Sequence, residues 1–147
     1  MERTGKSAAL LVGALRDPAT VAGLDGDAWT ELLTAARAEQ LLGSLAHRLD
    51  GLSVPAAAGR ILADARASAV EQRRAALWEV EMARRALAPL DVPVVLLKGS
   101  AFAAAGLSAG MGRSIGDLDI LVPQDALNRV EAALLAHGWE WVKPDPY

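Results

Sequence analysis

Apolar positions along this chain follow two different rhythms. Over residues 1–88 they return at three- and four-residue intervals, the spacing that gathers side chains on one face of a helix. Leu10 to Leu15 reads as a short first helix, closed by Asp17-Pro18. Asp27 is placed to cap a second, whose apolar face is Trp29, Leu32, Leu33 and Ala36. A break near Gln40 comes before Leu41, Leu42, Leu45 and Leu49, which continue the helical spacing. Asp50-Gly51 and Ser53-Val54-Pro55 mark a loop. Ala56 to Leu87 then forms one long helix with Val70, Leu77, Val80 and Leu87 as its apolar stripe.

Past Pro89 the rhythm changes. Val92 to Leu97 is a short continuous apolar run rich in valine, the pattern of a strand covered on both faces. Ala101 to Ala105 reads as helix, and Gly106 to Gly116 as a loop of small residues. Leu118 to Val122 is a second strand, stopped by Pro123. Gln124 to His137 is a helix ended by Gly138, Trp139 to Val142 starts a third strand, and Lys143 to Tyr147 trails away. The expected fold is α/β (α+β): a helical N-terminal region over residues 1–88, then a small mixed-sheet core over residues 89–147.

Composition sharpens this picture in three ways. The 147 residues are 52% hydrophobic, much of it alanine, which favours helix. A net charge of -3 argues against a broad nucleic-acid footprint. The absence of cysteine excludes disulfides, thiolate nucleophiles and Cys-based zinc sites. No apolar run reaches the roughly 18 residues that span a bilayer. The uncharged stretch after Lys6 lacks a signal peptide's cleavage site, so a cytoplasmic protein with no membrane partner is expected.

Candidate chemistry concentrates between Leu97 and Val122. Asp117 and Asp119 lie two apart at the head of the second expected strand, where alternation points both carboxylates to one side. Facing carboxylates repel unless a cation joins them, and a hard divalent ion is the natural occupant. Gly99 and Ser100 fall between a strand and a helix, where free amides and the helix dipole favour an anion. Lys98 adds a point charge and Arg113 a bidentate fork. Judged singly, each of these residues is better explained by solvation at a strand end or in a loop; their joint occurrence makes the case.

The segment resembles the nucleotidyltransferase family of the DNA polymerase β-like superfamily, in its poorly characterised bacterial branch. The residues that carry the resemblance are Leu96-Leu97-Lys98-Gly99 and Arg113-Ser114-Ile115-Gly116-Asp117-Leu118-Asp119-Ile120-Leu121-Val122, preceded by a helical region with Trp29, Leu32-Leu33, Ala36, Leu41-Leu42 and Leu45. The resemblance implies that Asp117 and Asp119 bind Mg2+ or Mn2+ and act catalytically. It implies that Lys98, Gly99, Ser100 and Arg113 hold an NTP such as ATP. The implied reaction moves a nucleoside monophosphate to an unknown acceptor (protein, RNA or small molecule), releasing pyrophosphate.

The superfamily pattern also wants a third carboxylate on a later strand. Glu140 and Asp145 are the candidates, and an alternating Trp-Glu-Trp reads more simply as a half-buried strand with Glu140 outward. The core is therefore expected to be C-terminally incomplete, or to need a second polypeptide that completes the site. The rival reading is a non-catalytic nucleotide-binding or regulatory protein-interaction domain derived from the same fold.

Three other motifs fail on context. Gly5-Lys6-Ser7 lacks the strand and first glycine of a phosphate-binding loop. Gly106-Leu107-Ser108-Ala109-Gly110 has the spacing of a nucleophile elbow but follows a helix instead of a strand. His47 and His137 lie on helical stretches without ligands at useful spacing.

Overall fold

The structure, a computed structural model, describes residues 2–142, with side chains from residue 5 onward. Helices dominate it: α1 (Glu2–Arg16), α2 (Gly26–Ala38), α3 (Leu42–Arg48), α4 (Ala56–Leu87), α5 (Lys98–Ala104) and α6 (Leu127–Ala136). One two-stranded antiparallel sheet, β1 (Val95–Leu96) and β2 (Ile120–Leu121), accompanies them. The architecture is mostly helical and compatible with α+β.

Start and stop signals explain most boundaries. Pro55 immediately precedes α4 and Pro89 follows it within two residues, as expected of a residue that tolerates a helix start and blocks its continuation. Gln40 takes a positive φ of 56° between α2 and α3, which is the expected break. The cap of α2 is Asp25, whose Oδ1 accepts from the Ala28 amide at 2.8 Å; Asp27 instead lies in the first turn. The first helix begins at Glu2, well before Leu10.

Helix α4, about 48 Å long at 1.5 Å per residue, is the spine. Near its start, Ala58 and Leu62 join Leu11, Trp29, Leu32 and Leu45 in the main core. At its far end Leu87 packs with Ala126 and Val130 in a second, smaller core that includes Ile120 and Val122. The buried face of α4 is built chiefly from Ala58, Leu62, Ala76, Ala83, Ala86 and Leu87, whereas Val70 of the expected stripe is 61% exposed. Small side chains on the inner face suit close packing of neighbouring helices, here α3, α5 and α6.

The sheet is much shorter than its sequence pattern. Only Val95 pairs with Leu121 and Leu96 with Ile120, and the Leu97 amide adds one further bond, donating to the Asp119 carbonyl at 3.0 Å. Val95 and Leu121 are 51% and 58% exposed, so the strand expected to be buried on both faces is covered on one. Trp139 to Val142 forms no strand, and Glu140 is exposed. Asp145 and the rest of the tail from Lys143 lie outside the described residues. No helix among the described residues is long and apolar enough to cross a membrane.

Candidate active site

Where β1 gives way to α5, the backbone turns sharply. Lys98 adopts a left-handed φ of 53°, a conformation that costs a non-glycine residue of order 1–3 kcal/mol and tends to persist at functional sites. The turn ends the ladder after Leu97 and brings the next three residues against the loop that precedes β2.

Each of those three residues meets a different expected partner. Lys98 Nζ forms an ion pair with Asp119, with its nitrogen 3.1 Å from Oδ2 and 3.2 Å from Oδ1. Gly99 is buried, and a methyl in place of its hydrogen would sit 3.5 Å from Arg113 Nε and 3.4 Å from Ile115 Cγ1. Ser100 is 1% exposed, and its Oγ donates to the Asp117 carbonyl oxygen at 3.2 Å. Arg113 lies with its guanidinium carbon 5.5 Å from the centroid of the Phe102 ring, a cation–π geometry that orients the fork without neutralising it.

Lys98, Gly99, Ser100, Arg113, Asp117 and Asp119 are thus brought into one locus. Their local geometry differs from strand alternation, because β2 begins only at Ile120 and both aspartates lie in the segment before it. Asp117 is held by its backbone through Ser100, and its exposed carboxylate has no hydrogen bond or ion pair among the described residues. The Ser100 hydroxyl is turned inward as a tether, so any ligand would meet the amides and cations around it. Phe102 was not legible from the motif; the signal that could have revealed it is its place one helical turn after Lys98.

The donor set suits a hard divalent ion. Two carboxylate residues within a three-residue span offer oxygen ligands and leave positions for water and phosphate oxygens, as Mg2+ prefers. Lys98 supplies a positive charge that balances Asp119. No group of three or more carboxylate, histidine or cysteine side chains able to hold a metal occurs among the described residues, so neither Glu140 nor any other described acid joins the pair.

A sequence-family profile described as an uncharacterised nucleotidyltransferase matches residues 25–147. The chain belongs to that family. Nucleotidyltransferase membership thus extends over α2, α3 and α4 as well as the segment that carries the two aspartates. No curated protein and no solved structure matches this nucleotidyltransferase domain.

Proposed function

We propose that the protein is a metal-dependent nucleotidyltransferase that transfers a nucleoside monophosphate from an NTP to an acceptor. The observation that carries the reading is the contact of three consecutive residues, Lys98, Gly99 and Ser100, with Asp119, Arg113 and Asp117 respectively. Residues 1–88 form a helical scaffold and residues 89–147 the nucleotidyltransferase core.

In the transfer, an acceptor oxygen forms a bond to the α-phosphorus of the NTP while the bond from that phosphorus to the bridging oxygen breaks. Pyrophosphate leaves, and the acceptor's proton passes to water or to a carboxylate. Asp117 and Asp119 would hold the cation, and Mg2+ or Mn2+ when bound would draw off phosphate charge and align the in-line displacement. Lys98, which pairs with Asp119, would stand beside the phosphates as a point charge. Arg113, held on Phe102, offers its fork to a phosphate oxygen. Ser100 keeps Asp117 in position, and buried Gly99 lets the backbone come close to the phosphate tail.

Calorimetric titration of ATP, GTP, CTP and UTP, with and without Mg2+ or Mn2+, tests this reading. At least one nucleotide should bind only with the metal, and Asp119→Asn should abolish that binding in a folded protein. Wild-type affinity in the mutant would refute the site. Metal-dependent binding with no turnover of any acceptor would favour a nucleotide-binding regulatory domain.

A further inference from the structure

Across the Arg113 loop from the aspartates, a cleft of about 290 Å³ opens between that loop, the α2–α3 junction and the outer face of α4. Its polar lining is Arg37, Gln40, Ser68, Gln72 and Ser114, with Ala65 and Ala69 as an apolar floor. These groups come from three separate stretches of chain. Among the described residues no carboxylate lines the cleft, and the Arg37 guanidinium is the one charged group that does. Among the described residues, none of the five polar side chains has a hydrogen bond or ion pair. A cation with four neutral hydrogen-bonding groups and no competing acid is a lining that selects an oxyanion.

The cleft is also fixed in place beside the candidate active site. Gly43 and Gly112 touch backbone to backbone across it; a methyl on Gly43 would lie 2.4 Å from the Gly112 carbonyl oxygen. That contact clamps the loop, so Ser114 faces the cleft while its neighbour Arg113 lies against Gly99 on the other side. The volume admits a small polar molecule or one end of a larger one, and is too small for a nucleoside triphosphate.

We propose that this cleft is the acceptor subsite, taking a small molecule anchored through a carboxylate or phosphate group on Arg37. The assignment of the ligand as acceptor rests on the nucleotidyltransferase reading; the oxyanion site itself stands on the cleft. Binding at the loop that carries Arg113 places the acceptor beside the nucleotide's phosphates and leaves the Asp117–Asp119 segment to the metal.

Amide chemical-shift titration of the full chain with inorganic phosphate, and separately with acetate, tests it without nucleotide or metal. Shifts should map to Gly43, Ser68, Gln72, Gly112 and Ser114, with roughly millimolar affinity for so small a ligand. Arg37→Gln should weaken binding about tenfold or more, the loss of one charge-assisted contact, while its other amides stay unmoved. Arg37→Lys should recover part of it. A response to phosphate alone assigns a phosphate-bearing acceptor, and a response to acetate alone a carboxylate-bearing one. Asp119→Asn should leave these shifts intact, which separates failure of the cleft from failure of the metal site. Shifts confined to Gly99 and Arg113, no shifts with either ion, or unchanged affinity in Arg37→Gln would overturn the proposal.

Discussion

The Gly43–Gly112 contact makes a demanding prediction, because it joins the helical scaffold to the loop that carries Arg113. Replacing Gly112 by alanine would put a methyl 2.3 Å from the Gly43 carbonyl oxygen and 2.9 Å from Ser44 Cα, both backbone atoms that cannot swing aside. Overpacking of this kind costs about 1–3 kcal/mol. Gly112 also has a φ of 68°, and a side chain in that left-handed region adds about 1–2 kcal/mol. The sum is about 2–5 kcal/mol, or a fall in Tm of roughly 4–20 °C at about 2–4 °C per kcal/mol. Two controls separate the terms. Gly138→Ala at φ 91° with nothing within 4 Å should show the backbone cost alone. Gly13→Ala, inside α1 with open space around it, should be neutral or stabilising by about 0.5–1 kcal/mol. Urea denaturation of the three variants gives the comparison. If Gly112→Ala loses no more stability than Gly138→Ala, the loop does not sit against α3 and the cleft between them is not as described.

Two further predictions concern single side chains. Ser100→Ala removes one hydrogen bond to the Asp117 carbonyl, so stability should fall by about 0.5–1.5 kcal/mol, and metal-dependent nucleotide affinity should fall with it as Asp117 is freed. Unchanged affinity in a folded Ser100→Ala protein would show that the tether does not position Asp117. On α4, the Arg84 guanidinium, helped by Arg85, lowers the Glu81 carboxyl from 4.5 to about 2. A folded-state pKa below the unfolded one means the pair's contribution is full above about pH 4.5 and is lost as pH falls toward 2. The stability difference between wild type and Glu81→Gln should therefore be small, since the pair is exposed, and constant at neutral pH. It should shrink on acidification through that window, and a difference that grew would contradict the pairing.

Helix positions were legible because their signals are local. Pro55 and Pro89 bracket α4, and the break at Gln40 follows from the change of spacing after Ala36. What escaped the pattern was set by partners distant in sequence. Val92 to Leu97 has the composition of a buried strand, yet a strand needs a neighbour, and only two rungs with Ile120 and Leu121 form. On α4 the large residues suggest an apolar stripe, whereas alanines face inward and Val70 faces water. Asp25 and Asp27 both suit a helix start, and the cap went to the one whose extended backbone (ψ 178°) aims its carboxylate at the third amide beyond it. Within the site, the motif spacing indicated that Lys98, Asp117 and Asp119 belong together. The inward turn of Ser100, the Phe102 platform under Arg113 and the Gly43–Gly112 clamp depend on tertiary geometry that no spacing encodes.

The most direct test of the central claim is paramagnetic broadening of backbone amide signals by substoichiometric Mn2+, with and without the NTP that binds in calorimetry. Broadening should centre on Asp117, Leu118 and Asp119, extend to Lys98 and Gly99 across the ion pair, and disappear in Asp119→Asn. Broadening centred on the exposed Asp27 of α2, or unchanged by Asp119→Asn, would contradict a metal site at Asp117 and Asp119.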